Sequence, residues 1–189
     1  MQSQPLSPQE KKKIENDLRL ITSFIDAARY QGLRVIVFGG YGVDGALGEI
    51  SRYHNDIDLL VFGTSADGKE VLTSVLRDIG FDGYSIKDKG RGEYYHNWVF
   101  ARGETTLDIY FLQTSISPFG IEKNIVRNDR TVSEQQFGEP VIGMIGGATF
   151  EVQDPKVELE DKVHKRDVKG YEKRVEHEQD IENLQSIIS

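Results

Sequence analysis

Residues Arg52 to Phe62 read RYHNDIDLLVF and place two carboxylates one residue apart at the mouth of an otherwise apolar, strand-like segment. In a strand, residues two apart face the same way, so Asp56 and Asp58 project together while Ile57, Leu59 and Val61 point to the opposite side. The pair repels itself unless solvent separates the two groups or a cation sits between them. A chain carrying this segment needs a sheet with one face packed into a core and acidic side chains on the other.

The flanking pattern supplies the helices for that core. Ser7-Pro8 is a helix start, with Ser7 as N-cap and Pro8 in the first turn. Ile14, Leu18, Ile21, Phe24, Ile25 and Ala28 then recur at helical spacing, which predicts a helix to about Tyr30, ended by Gly32. Val35 to Phe38 is a short apolar run of the kind buried on both faces. Gly39-Gly40 breaks it, and a short helix is expected from Tyr41 to Leu47. Ile57 to Phe62 is the next strand, and Asp67 to Ile79 is a second amphipathic helix closed by Gly80. Tyr94 to Ala101 and Thr106 to Leu112 read as two strands of a hairpin around Arg102–Thr105. Between Ser117 and Glu139 the pattern weakens, and a loop or short helix with a mobile segment is expected. Pro140 to Ile145 reads as a strand and Gly146-Gly147 as a turn, while Phe150 to Val152 is too short to assign. From Asp154-Pro155 onward charges are dense and two helices are expected, the first capped by Asp154. The expected organisation is one α/β unit over residues 1–153, with a helical segment over 154–189 packed on it.

Composition narrows the partners. The chain has 189 residues and a formal charge of -8, which argues against nucleic acid or an anionic membrane as a partner and suits a cationic small substrate. It has no cysteine, so thiolate metal sites and a cysteine nucleophile are excluded. MQSQPLSPQEKKK lacks the apolar core of a signal peptide and no run reaches membrane-spanning length, so a cytoplasmic protein is expected.

The chemistry rests on three acidic residues. Asp108 sits in TLDIYFL with the grammar of the first pair, Leu107, Ile109 and Phe111 alternating against it. If the two strands are neighbours, three carboxylates converge. Such an oxygen donor set, without cysteine or clustered histidine, suits Mg²⁺, and two such ions form the clamp used for displacement at phosphorus. A third carboxylate can ligate an ion or act as general base. Gly39 and Gly40 allow close approach of backbone to a phosphate at the following helix N-terminus, and Arg52 is a candidate phosphate clamp. Taken alone, Asp-Ile-Asp is most often a strand entering a turn; the glycines and Arg52-x-His54 at these distances favour metal chemistry.

In this order the motifs resemble the DNA polymerase β-type nucleotidyltransferase superfamily. FGGYGVDGALGEISRYHNDIDLLV is most similar to lincosamide nucleotidyltransferases and aminoglycoside 2''-adenylyltransferases, which carry G-G-W-[AG]-[IV]-D and then R-x-H-x-D-I-D. The matching positions are Gly39, Gly40, Val43, Asp44, Arg52, His54, Asp56, Ile57 and Asp58, with LRDIGF, TLDI and DIENLQSI agreeing in order. Tyr41 departs from the family's Trp, and Phe119 to Gly147 aligns with no motif. The resemblance implies a nucleotidyltransferase fold, a small mixed sheet with flanking helices. It also implies transfer of a nucleoside monophosphate, AMP from ATP, to a hydroxyl of an aminoglycoside or lincosamide. Asp56, Asp58 and Asp108 would be the metal ligands for two Mg²⁺, and a homodimer is compatible with the family. A protein-adenylylating enzyme of the antitoxin type keeps the chemistry and changes the acceptor. A non-catalytic nucleotide-binding regulator is the third reading, disfavoured by three intact carboxylates.

Other residues carry two readings each. His54 is a donor behind the metal ligands or a packing residue that fixes the turn. Asp44 reads as a residue bonding local backbone. Lys162, His164, Lys165 and Arg166 read as a solvated face paired with Glu158 and Asp161, with triphosphate contact as the alternative. Tyr94, Tyr95, His96 and Trp98 read as sheet packing, with stacking on a base or substrate as the alternative. Glu93 and Glu104 are exposed charges or contacts for a cationic acceptor.

Overall fold

The first helix, α1, spans Pro8–Tyr30 and begins with a capping box. Glu10 N–H donates to Ser7 Oγ while Ser7 N–H donates to the Glu10 carboxylate at 2.7 Å, which satisfies two of the N–H groups a helix start leaves open. Its inner stripe is not wholly apolar. Ile14, Ile21, Phe24 and Ala28 are buried, and so are Lys13 and Asp17, whereas Leu18 and Ile25 are only partly covered. The computed structural model describes residues 5–63, 68–91, 96–117, 120–127, 130–133, 138–167 and 175–189. Tyr94, Tyr95 and Glu93 lie outside these, as does the side chain of His96.

β1 (Arg34–Phe38) leads directly into α2 (Gly39–Leu47), so Gly39 and Gly40 form the first turn of that helix instead of preceding it. β2 is Ile57–Gly63 and α3 is Gly68–Asp78. β3 (Ser85–Arg91), β4 (His96–Arg102) and β5 (Thr105–Ser117) follow, the β4–β5 hairpin turning through Gly103 at φ +60°. β8 (Val141–Ile145) and β9 (Ala148–Val152) form the last hairpin. The turn between them uses Gly146 and Gly147, both with positive φ.

The main sheet has the order β3-β4-β5-β2-β1-β9-β8. It is mixed: β2 runs parallel to β5, β1 parallel to β9, and the other neighbours in this order are antiparallel. Residues 120–127 and 130–133 differ from expectation. β6 (Gly120–Arg127) and β7 (Arg130–Ser133) extend the far half of β5 as antiparallel strands, where a loop or short helix is expected. Charged residues interrupt the apolar alternation of both, which hides them from a periodicity reading. β3, SIKDKGR, escapes for the same reason at the sheet edge.

One face of the sheet carries the core. Leu59, Val61, Leu107, Ile109 and Phe111 pack there with Ile21 and Phe24 of α1 and Leu72, Val75 and Leu76 of α3. Burial of each such side chain contributes about 1.5–3 kcal/mol. Trp98 belongs to this core, so its role is sheet packing. The opposite face holds a smaller cluster of Ile36, Leu60, Phe62 and Leu112. At the end of this smaller cluster stand Asp58 and Asp108. α4 (Pro155–Asp167) and α5 (Val175–Ile188) pack on each other and on α2, with Asp154 Oδ1 accepting the Lys156 N–H at 2.8 Å.

Candidate active site

Strand register brings the acidic residues together. β2 and β5 run parallel with Asp58 opposite Asp108, so the two carboxylates leave the same sheet face on neighbouring strands. Phe38, the last residue of β1, pairs with Asp58 on its other side. Asp56 lies just before β2 instead of within it and is exposed at the cleft mouth, while Asp58 is half-buried and Asp108 buried. The reading that Asp56 and Asp58 both project from one strand is therefore corrected: the turn delivers the first and the strand the second. Burial pushes the Asp58 carboxyl well above the usual carboxylate range. Repulsion from Asp56, Asp108 and Glu158 adds to this, and Lys162 relieves it only in part.

The two glycines are required by what faces them. Gly39 has φ +63°, and a Cβ there would lie 2.1 Å from Asp58 Oδ2. A Cβ on Gly40 would lie 2.2 Å from His54 Nδ1. No side chain fits at either position without displacing a site residue. Phe38, the N-cap of α2, gives no side-chain hydrogen bond to the helix start; the Glu158 carboxylate of α4 reaches the Gly39 N–H there instead, as an anion at a helix N-terminus does.

A cleft of about 270 Å³ opens over these groups, lined by Gly39, Gly40, Asp56, Asp58 and Tyr110 on the sheet side. Asp108, buried and opposite Asp58 in register, is not itself among the lining residues. The other wall comes from α4 and α5, which contribute Glu158, Lys162, Lys165, Glu176 and Asp180. Sequence reasoning did not identify Glu158, Glu176 or Asp180 as part of a site. Lys162 is also corrected. It is 6% exposed and not on a solvated face, bonded to Asp180 at 3.0 Å and paired with Glu158 at 3.3 Å. Lys165 is exposed and pairs with Asp161 at 3.6 Å.

Arg52 lines the cleft with its guanidinium forked onto Asp180, at 2.9 Å from Nε and 2.8 Å from Nη2, while Nη1 donates to the Tyr53 carbonyl. Burial alone would raise the pKa of Asp180, but the Arg52 fork and Lys162 hold it below its usual value. Burial likewise raises that of Glu158, against the opposing effects of Lys162, Lys165 and the Gly39 N–H.

His54 and Asp44 are bonded side chain to side chain. His54 Nε2 lies 2.6 Å from Asp44 Oδ2, and Ser51 Oγ donates to Asp44 Oδ1 at 2.6 Å. Asp44 thus binds two side chains of the following loop and not the local backbone, because the α2 turn that carries it faces that loop. Tyr41, where the family has Trp, is buried away from the cleft. Its hydroxyl donates to Asp17 at 2.8 Å, and its ring packs 4.5 Å from that of His54.

Solved structures share this fold, with its mixed sheet and the paired aspartates of β2 and β5 at one end. ANT(2'')-Ia in complex with adenylyl-2''-tobramycin superposes with a TM-score of 0.66 at 16% identity, over 92% of this chain and 90% of that one. The lincosamide antibiotic adenylyltransferase LnuA, lincomycin-bound, gives 0.58 at 18% identity, over 97% and 99%. JHP933 from Helicobacter pylori gives 0.55 at 13%, over 96% and 68%. A search of curated protein sequences returned no match. The chain belongs to the aminoglycoside-2''-adenylyltransferase family, whose model matches residues 20–184.

Proposed function

We propose that this enzyme transfers AMP from ATP to a hydroxyl of an antibiotic of the aminoglycoside or lincosamide type, with Mg²⁺. The observation that carries the reading is the register pairing of Asp58 with Asp108 beside the N-terminus of α2. In the transfer the acceptor oxygen bonds to the α-phosphorus, the bond to the β-phosphate oxygen breaks, and pyrophosphate leaves. Asp108 takes the acceptor's proton, while the first-turn N–H groups of α2 hold phosphate oxygens.

Among the described residues no three acidic or histidine side chains already enclose a metal-sized point. Oxygen donors of matching charge are nonetheless present, and the mutual repulsion around Asp58 is the electrostatic deficit that a divalent ion relieves. Asp56, Asp58 and Asp108 are the residues that would hold Mg²⁺, which supplies charge neutralisation of the triphosphate when bound. Five carboxylates against three cationic side chains line the cleft, which suits a cationic acceptor. α4 and α5 supply the second wall of this cleft.

The test is pyrophosphate release from each of the four ribonucleoside triphosphates, with aminoglycosides, lincosamides or no acceptor. Release that requires both ATP and one acceptor, with an adenylylated product by mass spectrometry, is expected. Equal release without acceptor, or none with any, would refute the reading. Glu158→Gln is expected to tighten nucleotide binding roughly three- to tenfold, since about 1 kcal/mol of like-charge repulsion is removed from the triphosphate's place. Titration calorimetry with ATP checks this.

A further inference from the structure

We propose that Lys13 and Asp17 of α1 are positioning residues, which set the loop bearing Asp56 through the main chain of His54. Neither lies in the lining of the cleft. Lys13 Nζ donates to Asp17 Oδ2 at 2.6 Å and to the His54 carbonyl at 3.1 Å. The same Asp17 oxygen accepts the Tyr41 hydroxyl. Lys13 is 8% exposed and Asp17 fully buried. His54 is the second residue before Asp56, so a shift of its peptide group moves the start of the Asp56–Asp58 pair.

Stability does not explain this arrangement. A buried ion pair usually returns little more than its desolvation cost, and apolar replacements of similar volume are often neutral or stabilising. Asp17 even leaves Oδ1 without a hydrogen-bond partner among the described residues while Oδ2 takes two donors. An apolar pair would fill the stripe of α1 better. It would not hold a carbonyl 41 residues away at a set distance.

The loop is also held from its other side. Asp44 binds Ser51 and His54, and the His54 ring sits over Gly40 with no room for a Cβ between them. α2 therefore grips the loop by its side chains and α1 grips it by its backbone. Small displacements of reacting groups are costly, about 10²-fold for 1 Å. A rigid support for the aspartates thus has a direct kinetic consequence.

The inference rests on Asp56 and Asp58 acting in the transfer, but its test does not depend on activity. Lys13→Met/Asp17→Asn removes both charges and keeps the volume. In the protein without nucleotide or metal, amide hydrogen exchange of residues 53–57 is expected to quicken at least tenfold, with exchange in the β2–β5 core unchanged. With substrates, kcat is expected to fall about 10- to 100-fold and the nucleotide KM to change less than threefold. Lys13→Gln/Asp17→Asn keeps a donor for the His54 carbonyl and is expected to restore both exchange and kcat to within about threefold of the parent. A folded methionine variant with parental exchange at 53–57 would overturn the proposal. Failure of both double variants to fold would also overturn it, because the pair would then be an element of stability. An inactive parent would end the functional reading alone, since the exchange comparison decides the positioning role by itself.

Discussion

Asp58→Asn is expected to abolish nucleotidyl transfer, by about 10³-fold or more, while leaving the metal-free fold at least as stable as the parent. In the proposed reaction the rate loss follows from removing a charged oxygen at the point where cation and phosphate would meet, a contribution of several kcal/mol to the transition state. The stability gain follows from the electrostatics of the site. Burial and three neighbouring carboxylates raise the Asp58 pKa in the folded chain. A raised pKa means that the folded state binds the proton more tightly than the unfolded chain does. Stability associated with this group is then full at low pH and is lost as pH rises through the folded value. At neutral pH the native aspartate therefore carries a penalty that asparagine lacks. Thermal melts with and without Mg²⁺, beside a pyrophosphate assay, check both halves. Parental turnover in the variant at saturating Mg²⁺ would remove Asp58 from the chemistry. A melting temperature well below the parent's would show that the carboxylate supports the fold instead.

Asp180→Asn should have the opposite signature, a large loss of stability. Asp180 is fully buried and receives the Arg52 fork and the Lys162 ammonium together. Removing its charge leaves the largely buried Arg52 without its carboxylate and the buried Lys162 with Glu158 alone. Breaking a buried pair from one side costs about 3–5 kcal/mol. For a chain of this size that corresponds to a fall in melting temperature on the order of 10 °C. The pH dependence has a definite sign. Because the folded pKa of Asp180 lies below its ordinary 3.8, its contribution is present above that value and lost as pH falls through the folded one. Parent and variant should thus differ fully at pH 7 and converge in acid. A constant gap down to pH 2 would mean that packing, not charge, makes the contribution. The variant also frees the Arg52 guanidinium from Asp180 in the cleft, so an ATP titration on the same sample tells whether it then contacts phosphate.

These two carboxylates differ in how far the sequence reveals them. Asp58 stands out because a charged residue interrupts a strand at a position of known facing, next to Ile57 and Leu59. Asp108 stands out by the same grammar. Asp180 sits in a helix of dense charge, where an acidic residue normally faces water. Its burial is created by Arg52, 128 residues earlier in the chain, and no local pattern records that distance. Glu158 and Lys162 show the same limit in another form. Their spacing of four is legible as an ion pair on a helix, but which side of α4 faces the protein depends on what packs there. Lys13 and Asp17 are hidden likewise, on a stripe whose apolar members alone define the helix.

Local rules suffice wherever a residue's role depends on near neighbours in the chain. They specified the capped start of α1, the break at Gly39-Gly40, the β4–β5 hairpin and the side of each strand that its aspartate takes. They determined as well that the sheet would carry acidic residues on one face and core on the other. The tertiary structure alone decided that Asp58 faces Asp108 across a parallel register, that α4 and α5 close the cleft, and that Arg52 is engaged by Asp180. The physical reason is that register, burial and ion pairing between distant segments are properties of the packed state. A side chain's solvation and its partner exist only once those segments have met.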